Sequence, residues 1–240
     1  LDKIQEQLKE HDVYIINEKQ VSPSQEAYVK NYFLSKVSPA LVTIILNDLV
    51  KAPSLKDSAA YLAIKMVMKE ENPKEGISKY LSKSNQDKKY VLIEIPRSIN
   101  RFVVLPEEDG KKYIILLDDR IRFNLKTIFN IFEYESVTAH MIKITRDAEL
   151  DIESDLSKSF IEKISNSVQD RIKGDPVRFV YDMNIDEDTL KFLMGKMGID
   201  STDSIIPGGR YHNRRDYMDF PSLGKEELLY KAIDPLPIPG

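Results

Sequence analysis

The sequence contains no cysteine, which excludes disulfide bonds and thiolate metal ligands and fits a cytosolic origin. It also has no apolar run near the roughly 20 residues that span a bilayer, and residues 1–12 are too charged for a signal peptide. The 35 basic and 39 acidic side chains give a net charge of −4. This balance argues against a general nucleic-acid coat but allows a local basic surface.

Motifs for nucleotide and metal binding are absent as well. Neither Gly-x-x-x-x-Gly-Lys-Ser/Thr nor Gly-x-Gly-x-x-Gly occurs, so nucleotide binding by these two routes is excluded. The histidines, His11, His140 and His212, share no spacing such as that of an HExxH motif. The acidic run at 147–153 could hold a hard cation, but such runs more often favour the start of a following helix. We therefore assign no metal ligand and no catalytic residue.

The composition is that of a soluble globular protein, with 42% hydrophobic and 31% charged residues. No Gly/Ser linker divides the 240 residues, which favours a single domain. Runs of β-branched and aromatic residues predict strands over 13–16, 42–46, 59–69, 90–95, 102–105, 113–117, 137–145 and 177–181. Since five consecutive strands lack intervening helices, we expect a largely antiparallel meander.

Apolar residues at spacings of three and four predict helices around this sheet. They cover residues 1–9, the stretch from Pro23 to the Ser38-Pro39 pair, and the ranges 120–132, 155–173 and 189–197. The polar segment at 70–89 is predicted to be an exposed hairpin excursion. The predicted fold class is therefore α/β (α+β), with a largely antiparallel or mixed sheet flanked by helices.

The most informative stretch is 201–224, because it concentrates basic side chains in an acidic chain. We expect Pro207, Gly208 and Gly209 to form a sharp turn, and arginine forks beside exposed amides suit phosphate. Another arginine, Arg146, stands at a strand end, where loops build sites. The candidate phosphate-binding residues are Arg146, Arg210, His212, Arg214 and Arg215. An equally open alternative is a plain turn whose arginines pair with Asp216 and Asp219.

Several separated blocks of the chain resemble the head (middle) domain of bacterial polyphosphate kinases. The similar blocks are Tyr14-Ile-Ile-Asn-Glu-Lys-Gln, Glu94-Ile-Pro, Arg101-Phe-Val-Val-Leu-Pro, Leu117-Asp-Asp, Thr145-Arg-Asp-Ala-Glu-Leu-Asp, Asp175-Pro-Val-Arg-Phe-Val-Tyr and Asp203-Ser-Ile-Ile-Pro-Gly-Gly-Arg-Tyr-His-Asn. The excursion at 70–89 departs from the family pattern. The Arg214-Arg215 pair also departs from it, since the family has an aromatic and then a basic residue there.

The resemblance implies a hinge helix at 1–10, the head domain at 11–230 and a linker at 231–240 toward absent catalytic domains. It implies a parent enzyme that moves the γ-phosphate of ATP reversibly onto polyphosphate through a phosphohistidine, with ATP and Mg²⁺ held outside this fragment. The fragment alone would be inactive, and would supply dimer contacts and part of a basic polyphosphate channel. The expected partners are polyphosphate, the remaining domains and a second copy in a homodimer or higher oligomer, but no nucleic acid. The expected location is the cytoplasm, with peripheral membrane association left open.

Two other functions remain as alternatives. The chain could be a stand-alone phosphate-binding or polyanion-binding module that uses the segment from Arg210 to Arg215, with phosphorylated ligands or RNA as targets. RNA binding would require aromatic rings for base stacking, and only Tyr211 and Tyr217 are near. An autonomous hydrolase would use His212 with Asp216 or Asp219 and would need a triad within hydrogen-bond reach.

Overall fold

The computed structural model describes residues 2–57, 59–69, 87–145, 178–199, 203–211 and 214–230. Three sequence predictions lie outside these residues: the helix over 155–173, the acidic run at 147–153 and most of the excursion at 70–89. The described part forms two open sheets with helices against them. This mixed architecture confirms the predicted fold class.

The smaller sheet has three strands in the order β1, β6, β5. Its strands are β1 (Val13–Ile16), β6 (Lys112–Leu116) and β5 (Phe102–Val104). The central strand β6 is parallel to β1 and antiparallel to β5. The parallel pair joins the beginning of the chain to its middle, which an antiparallel meander would not do.

The larger sheet has six strands in the order β2, β4, β3, β7, β8, β9. They are β2 (Val42–Ile45), β4 (Lys88–Glu94), β3 (Ala60–Met68), β7 (Tyr134–Thr145), β8 (Arg178–Asp182) and β9 (Ser204–Gly208). Every neighbouring pair is antiparallel except β8 and β9, which are parallel. The order is not sequential, so the predicted meander is wrong in its connectivity although most of its strands are present.

Five α-helices accompany the sheets in the described part. They are α1 (Asp2–Lys9), α2 (Pro23–Tyr32), α3 (Leu117–Phe123), α4 (Leu125–Ile128) and α5 (Glu187–Met197). Helix α2 begins at a capping box, in which the Ser22 hydroxyl accepts from the Gln25 backbone N–H at 3.3 Å. It continues as a π-turn over Phe33–Val37, and Pro39 lies in the short 3₁₀ turn that follows.

The core lies on both faces of β3, whose side chains alternate between two clusters. Leu62 and its neighbours two residues away pack with Leu117 of α3, while Ala63 packs with Leu193 of α5. Because β3 is covered on both sides, its sequence is a nearly continuous apolar run. That run is the pattern from which the strand over 59–69 was predicted. This sandwich fixes α3 against the sheet, and α3 carries the candidate site.

The single helix predicted over 120–132 is wrong in its bounds. The structure divides this stretch into α3, which begins earlier at Leu117, and the one-turn helix α4. Asn124 separates them, and its side-chain amide donates to the Arg120 carbonyl at 2.9 Å. Asparagine competes in this way for helical backbone groups, so it interrupts the helix that the apolar spacing favours.

Two glycines of α5 allow a matched stability test. Gly198 ends the helix at φ +69°, where alanine is strained, so Gly198→Ala is expected to lower the free energy of unfolding by about 1 kcal/mol. Gly195 lies inside the helix with no atom within 4 Å of an added Cβ, so Gly195→Ala is expected to raise it by about 0.5–1 kcal/mol. Urea unfolding measures both, and shifts of the same sign would contradict the assigned helix end.

Candidate functional site

Helix α3 places three consecutive charged residues inside the protein. Asp118, Asp119 and Arg120 are each 0% exposed, because Leu117 and Ile121 anchor the helix in the core. A buried charge costs several kcal/mol unless opposite charges and hydrogen bonds compensate it. Each of these three residues therefore needs partners that compensate its charge.

The Asp119 carboxylate accepts hydrogen bonds from three side chains. Arg122 Nη1 donates to Oδ1 at 2.8 Å and Arg210 Nη2 donates to the same oxygen at 2.6 Å. The Tyr211 hydroxyl donates to Oδ2 at 2.6 Å. Burial, with the neighbouring Asp119 charge, raises the pKa of Tyr211 well above its usual range, so this phenol remains a donor.

Glu18, in the loop after β1, is the second carboxylate on Arg210, whose Nη2 also donates to Glu18 Oε2. Burial and the nearby Asp119 charge raise the pKa of Glu18. Burial by itself would lower the pKa of Arg210, but Asp119 and then Glu18 raise it far beyond its usual value. Arg210 is thus a permanent cation held between two acids.

Asp118 faces the other side of α3, where Arg101 Nη2 donates to its Oδ2 at 2.6 Å. Arg101 Nε also lies 3.4 Å from Asp216 Oδ2, in the 3₁₀ helix Arg214–Asp219. Burial raises the pKa of Asp118, and the Arg101 charge opposes that shift. Arg101 therefore ties α3 to the carboxyl-terminal segment on this side.

In the described part of the chain, Arg120 has no carboxylate partner and none of its guanidinium nitrogens forms a hydrogen bond. Its guanidinium carbon lies 4.0 Å from the Tyr32 ring centroid and 5.9 Å from that of Tyr28. Stacking on aromatic rings is the remaining stabilisation for this cation. Burial lowers the pKa of Arg120 to about 10.

A groove of 660 Å³ opens beside the Asp119 cluster, between α2, α3, α4 and β7. Its five cationic lining residues are Lys19, Lys30, Arg122, Lys126 and Arg210, and its two carboxylates are Glu18 and Glu26. The lining thus has an excess of three positive charges, with the buried Asp119 behind it. In the described part, Lys19 and Lys126 form no ion pair, and neither Arg122 Nη2 nor Arg210 Nε has a hydrogen-bond acceptor.

One wall of this groove is β7, from Val137 to His140. Arg122 Nε donates to the Ala139 carbonyl at 3.2 Å, which fixes the guanidinium beside the strand. His140 Nδ1 lies 3.3 Å from Asp182 Oδ2. Burial raises the pKa of Asp182, but the hydrogen bonds from His140 and from the Asn184 backbone outweigh it and lower the pKa to about 2.

The predicted turn at 207–209 is wrong. Pro207 and Gly208 are the last residues of β9, paired with Tyr181 and Asp182 of β8, and Gly209 does not take a positive φ. Proline is tolerated there because β9 is an edge strand of the sheet. The pairing of β9 with β8 therefore overrides the local turn signal.

Of the predicted phosphate-binding residues, only Arg210 has a described side chain, and it lines the groove. Arg214 and Arg215 lie in the 3₁₀ helix that follows, while Arg146 and His212 lie outside the described residues. The proposed joint action of these five residues stays a prediction.

The sequence reasoning missed Glu18, Asp119, Arg122 and the groove lysines. The only signal was that two of the family-like blocks contain Glu18, Lys19 and Asp119. Within the described ranges, no three His, Asp or Glu side chains are grouped to hold a metal ion, and no helix has the length and apolarity to cross a membrane.

Comparison with known families decides the assignment. The family model of the polyphosphate kinase middle domain matches residues 24–220. The chain belongs to the polyphosphate kinase family. It is 37% identical over 229 residues to the polyphosphate kinase of Vibrio vulnificus (strain YJ016), with 93% of this chain and 30% of the relative covered. It is 35% identical over 234 residues to that of Escherichia coli (strain K12), with 95% and 31% covered.

A solved structure shows the same fold. The crystal structure of polyphosphate kinase from Porphyromonas gingivalis aligns with a TM-score of 0.72 at 24% identity, over 98% of this chain and 31% of that one. The chain therefore spans less than a third of the length of these polyphosphate kinases and corresponds to their middle domain.

Replacing Arg210 tests whether the Asp119 cluster stabilises the fold. Arg210→Ala removes a cation from the 0% exposed Asp119, so the free energy of unfolding is expected to fall by about 2–3 kcal/mol. Arg210→Lys is expected to recover only part of the loss, because lysine keeps the charge without the planar fork. Urea unfolding is the measurement, with the exposed Lys191→Ala as a control expected within about 0.5 kcal/mol of wild type. If Arg210→Ala lowers the free energy of unfolding by less than about 0.5 kcal/mol, Arg210 is dispensable for folding.

The lowered pKa of Asp182 predicts sensitivity to acid. A carboxylate whose pKa is lower in the folded state stabilises the fold above its unfolded pKa and loses that stabilisation as pH falls. The contribution, about 2 kcal/mol, should therefore disappear from about pH 4 down to pH 2. Urea unfolding at several pH values should show a smaller slope over this window for Asp182→Asn. Equal slopes would mean that the Asp182 contacts are not maintained in solution.

Proposed function

We propose that this chain is the middle domain of an enzyme that reversibly transfers the γ-phosphate of ATP to polyphosphate through a phosphohistidine. Its own contribution is to form part of a basic channel that guides polyphosphate. The names of its relatives and the match to the middle-domain model support the parent activity. The observation that carries the channel role is the basic groove beside the Asp119 cluster.

The groove has the properties that a linear polyanion requires. Arg122 is fixed from two sides, by Asp119 and by the Ala139 carbonyl, so little side-chain entropy is lost when it contacts an anion. Lys19 and Lys126 add charge that no described carboxylate neutralises. Rigid arginines can thus orient phosphate oxygens while the lysines provide long-range attraction.

The carboxylates of this site are not free to bind Mg²⁺, which takes oxygen ligands, because Glu18, Asp118 and Asp119 are all engaged by arginines. In the proposed enzyme, ATP, Mg²⁺ and the phosphorylated histidine lie outside this domain. The chain alone is expected neither to make polyphosphate nor to take up phosphate from ATP.

Dimer contacts and a cytoplasmic location complete the proposal. Val42 and Ile45 of the edge strand β2 are exposed, so they offer apolar surface to a second copy. Cysteine is absent, which fits a reducing compartment.

A stand-alone polyanion-binding module is the second candidate, since the same groove would serve it. The RNA version of this candidate is less favoured. Tyr211 packs in the small-sheet core with its hydroxyl on Asp119, and Tyr217 packs edge-on against Phe102 at 5.1 Å. Neither ring is available for stacking on bases. The hydrolase alternative depends on His212, which lies outside the described residues.

Polyphosphate binding by the groove can be measured directly. The double variant Lys19→Ala/Lys126→Ala is expected to bind polyphosphate of defined length about fivefold more weakly, because each exposed charge contributes roughly 0.2–1 kcal/mol. The plot of log affinity against log salt should lose about one unit of slope for each removed contact. Isothermal titration calorimetry at several salt concentrations measures both quantities.

The matched control is Lys191→Ala, because Lys191 is an exposed lysine of α5 outside the groove. It should leave the dissociation constant and the salt slope unchanged. If the double variant and the control bind polyphosphate equally well, the groove is not the binding surface. RNA binding at similar affinity and salt would favour the general polyanion module.

A further inference from the structure

Arg120 is a fully buried cation that forms neither an ion pair nor a hydrogen bond with the described residues. Its guanidinium carbon lies 4.0 Å from the Tyr32 ring centroid and 5.9 Å from that of Tyr28. Such cation–π contacts offset only part of the cost of removing a guanidinium from water. An apolar side chain of similar volume would fill the same space without that cost. The observed contacts of Arg120 therefore leave its charge largely uncompensated.

Tyr32 connects this cation to a surface hollow of 390 Å³. The ring of Tyr32 lies against Arg120, and the same residue lines the hollow. A charge inside a protein is screened less than a charge in water, so the field of Arg120 extends to this nearby surface. The hollow shares no lining residue with the groove. Its lining consists of Tyr32, Lys36, Ala40, Ser98, Ile99 and Asn100.

The polar side chains of the hollow are free to donate hydrogen bonds. Lys36 is exposed and forms no ion pair with any described residue, and the side chains of Ser98 and Asn100 form no hydrogen bond there either. The six lining residues include no Asp or Glu. An ammonium, a hydroxyl and an amide can together donate to several oxygens of one tetrahedral anion. The hollow thus has the charge and the donors that a phosphate group requires.

We propose that this hollow is an anion site for a phosphate group, in which Lys36, Ser98 and Asn100 contact the oxygens. Arg120, in contact with Tyr32, adds the buried positive charge. The ligand is either free inorganic phosphate or the terminal phosphate of a chain, which present the same oxygens. A bound phosphate supplies the negative charge that Arg120 lacks among the described residues, so binding stabilises the folded state. Because the hollow is separate from the groove, this inference does not depend on the proposed function.

The effect of phosphate on stability tests the site. The melting temperature of the 240-residue chain, measured with rising inorganic phosphate at constant ionic strength, should increase in a saturable way that yields a dissociation constant. Lys36→Ala should weaken phosphate binding about fivefold, the effect of one exposed charge. Arg120→Met should weaken it about tenfold, because a charge acting through protein is less screened. Without phosphate, Arg120→Met should melt no lower than the wild type, since it removes an uncompensated buried cation.

Lys51→Ala is the matched control. Lys51 is an exposed lysine that forms no ion pair within the described ranges and lines neither the hollow nor the groove. It should keep the wild-type response to phosphate. An equal response in the wild type and in Lys36→Ala would overturn the proposal, and this comparison holds even if Arg120→Met does not fold. A melting temperature of Arg120→Met well below that of the wild type would overturn the role assigned to Arg120.

A second titration distinguishes the two sources of the phosphate group. It uses the Lys19→Ala/Lys126→Ala variant, in which binding to the groove is weakened. If the chain end is the ligand, polyphosphate of defined length should raise the melting temperature at a lower concentration than orthophosphate does, and adding Lys36→Ala should reduce that effect. If orthophosphate alone raises the melting temperature, and adding Lys36→Ala reduces this rise, the site binds free phosphate. If neither compound gives an effect that Lys36→Ala reduces, the hollow is not an anion site.

Discussion

The buried carboxylate of Asp119 is the constraint on which the site depends. Its charge lies out of contact with water, so its hydrogen bonds with Arg122, Arg210 and Tyr211 are needed to offset the cost of burying it. Arg122 is local to α3, but the other two come from a segment about ninety residues later. One charge therefore determines where the carboxyl-terminal segment crosses the smaller sheet.

Once this segment is fixed, its apolar side chains complete the core of the smaller sheet. Phe102 of β5 receives the edges of two rings, Tyr217 at 5.1 Å and Phe220 at 5.2 Å. Three strands with one uncovered apolar face would not be stable in water. The ion cluster and the aromatic cover thus depend on each other, because the ion pairs give the segment its direction and the rings provide the apolar burial.

The same cluster decides which groove residues can attract an anion. Arg210 was one of the sequence candidates for phosphate binding, but the carboxylates of Asp119 and Glu18 balance its charge. It can offer directed N–H groups, but it adds little to the long-range field. Lys19 and Lys126 form no ion pair in the described part of the chain, so the net attraction of the groove comes mainly from these two lysines.

Local patterns were sufficient for elements whose side chains face an apolar core. The β-branched run of β3 and the glycine that ends α5 were both correctly interpreted, since burial and left-handed backbone leave direct marks in sequence. The end of β9 was not, because Pro207 and Gly208 signal a turn locally and become a strand only through pairing with β8. The fold class was thus accessible from the sequence, while pairings across long separations were not.

The ion pairs also join residues that are far apart in the sequence, and they explain what the family-like blocks have in common. Glu18, Asp119 and Arg210 stand in three blocks separated by about a hundred residues, and all three meet at one guanidinium. A buried acid and its arginine can be replaced only together, since either alone leaves an uncompensated charge. Similarity in these blocks is therefore expected from folding even without a ligand, and the functional argument rests on the groove lysines that form no ion pair in the described part, Lys19 and Lys126.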